Sequence, residues 1–427
     1  MKKGNARFES APVALIAALV LGLAVLLASA PAALAAGRWT LVPQPGDGNG
    51  GQEISCLSGA SCDVLGSDGE GTNTFMRFDG SRLRTLSTTY GGSEPGPWTT
   101  GLACVSTRFC LAVGALPGRG NIQLDPARVG RWDGTHWTST SIAVDTPTAI
   151  KRTSIDTGEL ASIACPSRSM CLAVGGWFGV GPPKRVVEAP LAVRWNGLRW
   201  SVVPVPAQNA VLGSVACASA TACVVLGSIG ITGVDGAAPS RPISLRFDGG
   251  AWSQLSFAAA PGVTRLTPAA VSCPSSGACV AVGSATQTVV KAPRRHASSR
   301  AVILRLSGDT WLPTIVPVSP ALARVRAARQ QSLDAVSCAP GTPSRCVAVG
   351  SWTNGAASLD NSKIGGLAAT LTAGHAQLTP LPVDSDPLTI SCPTPRFCLA
   401  GSDSSVERFD VREASAGLVD LDRRAVH

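Results

Sequence analysis

All 14 cysteines of this 427-residue chain fall into close pairs: Cys56/Cys62, Cys104/Cys110, Cys165/Cys171, Cys217/Cys223, Cys273/Cys279, Cys338/Cys346 and Cys392/Cys398. Six pairs are six positions apart and one is eight. Each pair belongs to the same unit, shown by residues 271–284, VSCPSSGACVAVGS: two β-prone runs around a short polar stretch. One such unit cannot bury an apolar face by itself, so recurring copies imply a repeat architecture whose neighbours cover one another.

Successive first cysteines lie 48, 61, 52, 56, 65 and 54 residues apart. Variable spacing around a constant unit means that loops vary while strands do not. The unit reads as four strands. Strand A ends at the first cysteine (LDAVSC to Cys338) and strand B starts at the second (CVAVGS from Cys346). Strand C ends in MRFDG at Gly80, GRWDG at Gly134, VRWNG at Gly197 or LRFDG at Gly249, with looser forms at Gly308 and Gly374. Asp-Gly and Asn-Gly at that place predict two-residue type I′ hairpins. Strand D follows, often opened by a tryptophan (Trp137, Trp200, Trp252, Trp311) and closed by a Val-Pro run.

The chain ends break the pattern in complementary ways. RWTLVPQP (residues 38–45) is a strand D with no A, B or C before it, and the last unit has A, B and C but neither an Asp-Gly turn nor a tryptophan after them. The reading is an all-β, seven-bladed β-propeller of four antiparallel strands per blade, its ring closed by the N-terminal strand in the last blade. Closure removes exposed sheet edges. Residues 417–422, GLVDLD, offer a substitute strand D.

A cysteine pair flanking a tight hairpin sits directly across an antiparallel ladder, where Cα atoms are about 4.5–5.5 Å apart, within reach of a disulfide. Each pair is therefore expected to close within its own blade, at the edges of the turn, contributing roughly 2 kcal/mol through loop closure. Zinc sites need closer spacing and usually histidines, and Cys-x-x-Cys redox pairs are absent, so no metal or cofactor is expected.

Paired cysteines also fit an oxidising compartment. Residues 1–36 read as an export signal: Lys2, Lys3 and Arg7, then an apolar run at 13–28, then the small-residue pattern Ala33-Leu34-Ala35. A retained anchor is the alternative, but the run is shorter than the roughly 20 residues of a spanning helix. The remaining residues, 37–427, are expected to form one domain, with a tail from about 411 left unassigned, and a monomer outside the cytoplasm or at the cell envelope. Net charge is +9 for the whole chain.

The combination SCxSxxxCxAVG, RWDGxxW and a VPxP end resembles the tandem repeats of secreted bacterial β-propeller proteins of the kelch or galactose-oxidase-like kind. The resemblance covers essentially all of residues 37–427 and implies a scaffold without naming an activity. WDGTHW (residues 132–137) is similar to the Asp-box turn of sialidases, but aspartate and glycine are adjacent here, and no sialidase residue is carried over. Copper-radical chemistry is not carried over either, because Tyr90 is the only tyrosine.

Strand parity places the A–B and C–D turns on one face of the ring and the B–C and D–A connections on the other. The arginines before the strand C aromatics (Arg77, Arg131, Arg194, Arg246, Arg305, Arg408) are expected to pack over neighbouring aromatic rings. Residues 285–330 carry eight basic residues against a single acid, Asp309. Lys291, Arg294, Arg295, His296, Arg324, Arg326 and Arg329 form a candidate patch for an anionic partner on the B–C and D–A face: an acidic polysaccharide, an envelope polymer or another surface protein. No interleaved aromatics would stack bases, which disfavours nucleic acid. Hydrolase, Walker and dinucleotide motifs are absent, and no catalytic residue is assigned. His136, His375 and His427 read as surface histidines; Asp68 with Glu70, Asp384 with Asp386, and Tyr90 with Glu94 are weak candidates. Three functions follow: a binding scaffold, a propeller hydrolase or lyase, and a structural envelope protein.

Overall fold

The structure, a computed structural model, describes residues 37–45, 50–67, 73–88, 98–115, 128–142, 156–181, 185–230, 240–291, 294–325, 330–342, 345–354, 364–372, 375–381 and 387–411. Residues 38–410 form one compact unit. The chain is a β-propeller. After β1 (Gly37–Leu41), strands come in fours, each antiparallel in sequence order. The first four are β2 (Glu53–Ser58), β3 (Ser61–Ser67), β4 (Asn73–Phe78) and β5 (Leu83–Ser87); the next are β6 (Trp98–Ser106), β7 (Phe109–Ala115), β8 (Arg128–Trp132) and β9 (Trp137–Ser141). Then come β10 (Asp156–Ser167), β11 (Met170–Gly181), β12 (Arg185–Trp195) and β13 (Trp200–Val202), followed by β14 (Ala210–Ser219), β15 (Ala222–Ile229), β16 (Arg241–Phe247) and β17 (Trp252–Phe257). The sixth group follows β18 (Val263–Ser275), β19 (Ala278–Lys291), β20 (Arg294–Ser307), β21 (Thr310–Ile315) and a one-turn helix α1 (Pro320–Ala323); it comprises β22 (Gln330–Cys338), β23 (Cys346–Thr353), β24 (Ile364–Thr372) and β25 (His375–Pro380). Finally, β26 (Thr389–Thr394), β27 (Phe397–Gly401) and β28 (Val406–Val411) take β1 as their fourth member, in the order β1-β28-β27-β26.

The first strands of successive groups pack against one another in order, and β26 packs against β2, so the ring has no end. The N-terminal strand is held there by Val42 N–H, which donates to the Val406 carbonyl at 2.9 Å, and by Trp39, whose ring centroid lies 4.9 Å from that of Phe409. The competing segment, residues 417–422, lies outside the described residues. Each sheet is covered on both faces by its neighbours. That is why strand B reads as an unbroken apolar run: Leu172, Ala173 and Val174 are all fully buried, facing alternately Leu212 and Val225 on one side and Leu160 and Val113 on the other.

All seven expected disulfides form, Cys56–Cys62, Cys104–Cys110, Cys165–Cys171, Cys217–Cys223, Cys273–Cys279, Cys338–Cys346 and Cys392–Cys398, with Cα–Cα distances of 3.9–4.2 Å. Their place in the blade corrects the sequence reading. Cys346 opens β23 as expected, but Cys62, Cys171 and Cys398 follow Ser61, Met170 and Phe397, which already belong to their strands, and all four second cysteines are buried. Cys62 packs in the cluster of Phe78 and Phe397, and Cys171 in that of Phe109 and Trp195. These cysteines are core residues because each strand is covered on both faces, so a side chain one step inside its end already meets a neighbouring sheet.

Two turn expectations are corrected as well. The polar stretch between cysteines six positions apart, expected as a loop of five residues, is shorter: the ladder continues past the disulfide through a register shift and ends at pairs such as Ser58↔Ser61 and Ser106↔Phe109, leaving two turn residues, whereas at Cys338↔Cys346 it ends at the cysteines. The Ser58 hydroxyl accepts from Ala60 N–H at 3.3 Å and the Ser106 hydroxyl from Arg108 N–H at 3.3 Å, which supplies the turn's missing acceptor.

The Asp-Gly turns are not type I′ either. The flanking pairs Phe78↔Leu83, Trp132↔Trp137, Trp195↔Trp200 and Phe247↔Trp252 enclose four residues, and only the glycine has positive φ (96° to 110°). The side chain before the glycine closes each turn. Asp133 Oδ1 accepts from the N–H groups of Thr135 and His136, and Asn196 Oδ1 from those of Leu198 and Arg199. An Asx side chain that caps its own turn removes the need for the mirror-image geometry.

The strand C arginines mainly bind carbonyls of the next group of four strands. Arg77 donates to Thr107 O (3.0 Å), Arg194 to Gly249 O (2.6 Å), Arg246 to Gly308 O (2.8 Å), Arg305 to Thr372 O (3.0 Å) and Arg408 to Gly80 O (3.0 Å). Only Arg131, over Phe109, and Arg408, over Phe397, make the expected ring contact among the described residues. Carbonyls at tight turns have unused lone pairs, and a guanidinium reaching out of a sheet edge meets them first.

A second set of links runs between the inner strands. The hydroxyls of Ser391, Ser55, Ser272 and Ser337 accept from the N–H groups of Cys56, Cys104, Cys338 and Cys392 on the next inner strand, at 2.9–3.0 Å. Ser162 and Ser214 do the same for Val215 and Val271 at 3.2 Å, and Thr100 donates to Leu160 O at 2.5 Å. Together these bonds join every neighbouring pair of inner strands around the ring.

One junction departs from the others. β17 and β21 pair in parallel through Ser256↔Thr310 and Phe257↔Trp311, fusing two groups into an eight-stranded sheet. Trp311 is fully buried there, and its indole N–H donates to the Ser244 hydroxyl of β16 at 2.9 Å.

Candidate functional site

Strand parity puts the residues from Lys291 to Arg300 in a B–C connection leading out of strand B. The structure makes most of them strand. β19 and β20 are 14 residues each and pair without interruption from Val280↔Arg305 to Lys291↔Arg294, with two residues between. The segment ATQTVV carries β-branched residues that favour this extension. Lys291 and Arg294 are therefore opposite each other at the tip, with Val290↔Arg295 and Val289↔His296 next in register. Because the sheet's outer strand β21 pairs only with Val302 through Ser307, and β18 follows β19 only as far as Gln287, the last residues of this ribbon extend past the blade.

Arg324 is exposed on a separate segment. The chain leaves β21, crosses to β25 through a bridge between Val318 and Leu378, and forms α1, capped by the Ser319 hydroxyl and anchored by buried Leu322. The structure thus brings Lys291, Arg294, Arg295 and His296 together on one hairpin and puts Arg324 on the following D–A connection. Arg326 and Arg329 lie outside the described residues.

The acid that could neutralise this sector does not reach it. Asp309 sits at the opposite end of β20 and is engaged by Arg246. A strand of 14 residues at about 3.3 Å each separates it from Arg294 by roughly 45 Å, several times the Debye length of about 8 Å. Arg305, also counted in the basic sector, is spent on Thr372 O.

Two buried carboxyls stand apart from this sector. Glu53 on β2 keeps some accessible surface, but protein surrounds its carboxyl, and burial pushes its pKa up to about 8 against the pull of a hydrogen bond from Leu102 N–H. It occupies on β2 the place that Ser162 and Ser214 hold on β10 and β14, three residues before the cysteine, and bonds the corresponding N–H of the next inner strand. Asp63 is fully buried, and burial raises its pKa while the hydrogen bond (2.6 Å) and charge of Arg77 lower it. Asp63 also lies near Cys104 and Cys110, but their sulfurs are joined to each other and the carboxylate is held by Arg77, so this cluster has no free ligand set for a metal.

Of the weaker sequence candidates, His136 is exposed at a turn beside Thr135, and His375 is exposed at the start of β25. Asp68, Glu70, Tyr90, Glu94, Asp384, Asp386 and His427 lie outside the described residues. A feature that the sequence did not signal is a cleft of about 370 Å³ on the turn face, between two disulfides, lined by Cys223, Cys279, Arg246, Asp309, Ser275 and Ser276. No helix among the described residues is long and apolar enough to cross a membrane.

No protein-family model matches the chain, and no curated protein sequence matches it. Among solved structures, U3-55K superposes with a TM-score of 0.51 at 9% identity, over 87% of this chain and 98% of that one. YCF48 bound to D1 peptide gives 0.49 at 12% identity over 90% and 100% of the two chains. The GH74 xyloglucanase from Xanthomonas campestris gives 0.43 at 13% identity over 86% and 59%. At such identities the likeness concerns the fold alone.

Proposed function

We propose that the protein is a seven-bladed propeller that works outside the cytoplasm, exported by residues 1–36, as a disulfide-clamped binding scaffold for an anionic partner. The observation that carries the reading is the β19–β20 ribbon. It gathers Lys291, Arg294, Arg295 and His296 at one tip, on the face away from the disulfide turns, while Asp309 is held at the far end of the same strand. Cations collected on a projecting element attract an anionic polymer at long range. The disulfides and the links between neighbouring sheets hold the scaffold rigid, which leaves the ribbon as the recognition element. The test is retention of the purified protein on immobilised polygalacturonate. Changing Lys291, Arg294 and Arg295 to Ser together should abolish retention at low salt, and high salt should abolish it for the unchanged protein; equal retention of both proteins rejects the reading.

A further inference from the structure

We infer that the outer edge of β20, from Arg294 to Arg300, is a docking strand for an acidic polypeptide segment, which adds to the sheet as an extended strand. The inference rests on the proposed anionic-partner reading and narrows it to a partner class. The edge follows from register. Val316 N–H donates to Ala301 O, so the odd-numbered residues of β20 turn their backbone groups outward, toward the β21 side. β21 ends its pairing at Val302, and among the described residues no strand pairs with the outward backbone groups of Arg295, Ala297 and Ser299, although the Ser299 side chain donates to Gln331 O of β22 at 3.3 Å. Their N–H and C=O groups form a row that a partner backbone would complete.

A second long strand shows what a closed edge looks like. β12 also outruns its neighbour: β13 pairs only with Val193 through Trp195, and Val203 N–H donates to Ala192 O, which turns the even-numbered residues outward. One of these is Pro190, which has no N–H to offer, and another is the buried acid Glu188. Proline and inward charge are devices that block strand addition. The β20 edge has no proline from Arg294 to Arg300, and its charges are all of one sign.

That sign selects the partner. A second copy of this chain would bring Arg294 and Arg295 against the same residues, which repel. A strand with alternating acidic residues would place carboxylates beside the basic row while its backbone fills the edge. A polysaccharide could satisfy the charge but has no N–H and C=O ladder.

The test uses an eight-residue peptide of alternating Glu and Val, the same peptide N-methylated at alternate residues in each of the two phases, and polygalacturonate. The expected result is that the plain peptide binds the purified protein and that one N-methylation phase weakens binding about tenfold or more, as removing several backbone hydrogen bonds should, while the other phase does not. Ala297→Pro, which removes one outward N–H and no charge, should weaken peptide binding and leave polygalacturonate binding unchanged. If both N-methylated peptides bind as well as the plain one, or Ala297→Pro leaves peptide binding intact, strand addition is wrong and charge recognition alone survives. If neither peptide nor polygalacturonate binds, both readings fail and the basic residues serve only to keep the edge from aggregating.

Discussion

Glu53 shows how one residue can differ from its repeat equivalents and change the chemistry of the ring. Serine at that position accepts an N–H at no electrostatic cost, whereas a carboxyl must be either neutral or charged inside protein. With an ordinary value of 4.5 and a folded value of about 8, the folded protein holds the proton more tightly than the unfolded chain. Its contribution is complete below pH 4.5 and is lost as pH rises through about 8. Burial moves Asp63 and Glu159 in the same direction, so the loss is shared. The urea midpoint should therefore fall between about pH 5 and about pH 8.5, and Glu53→Gln should reduce that fall by at least about half. An unchanged pH dependence in the variant would show that Glu53 is not the protonated group. The sequence presents this position as one more polar residue on strand A; only the neighbouring strand reveals that its carboxyl is enclosed.

At the scale of the element, what the sequence shows is the hairpin, and what it hides is how hairpins meet. The serine before each cysteine in Ser55, Ser272, Ser337 and Ser391 is plainly visible as part of the repeat, yet its acceptor role depends on an N–H in the next copy, 49 residues away for Ser55 and 55 for Ser337. Burial of Cys62, Cys171 and Cys398 has the same origin, since the sheet that covers each of them belongs to another repeat. The strand C arginines also follow this rule: their expected stacking partners are aromatic rings, while their observed carbonyl partners lie at the turns of the next sheet. The prediction at this scale is that Ser337→Ala leaves the Cys392 N–H without its acceptor and lowers stability by about 1–3 kcal/mol. Chemical denaturation reads this directly, and a loss below about 0.5 kcal/mol would mean that the hydroxyl is dispensable. The β19–β20 ribbon is the element whose nature was least legible: parity marks a connection there, while the β-branched run in ATQTVV that favours extension is a weaker signal.

For the whole molecule, the decisive feature is that the first strand completes the last sheet. Deleting residues 37–42 should remove the pairing to β28, the Trp39–Phe409 contact and buried Val42, and lower stability by at least about 3 kcal/mol, with a less cooperative transition. Calorimetry of the truncated protein tests this; unchanged stability would point to residues 417–422 as the strand that closes the ring.

The sequence by itself determined the repeat, the pairing of every cysteine, the four-strand unit and the strand missing from the final unit. All of these are local, since a disulfide six residues across or a hairpin turn depends on chain already at hand. Tertiary structure alone decided the serine and arginine links between sheets, the burial of the second cysteines, the fusion at Trp311, the enclosure of Glu53 and the length of the β19–β20 ribbon. Those depend on the angle and spacing at which sheets pack, which no single repeat encodes because each half of the contact belongs to a different copy. The opening cysteine pairs remain the clamps of the scaffold, and the candidate site lies where a strand outruns the sheet they hold.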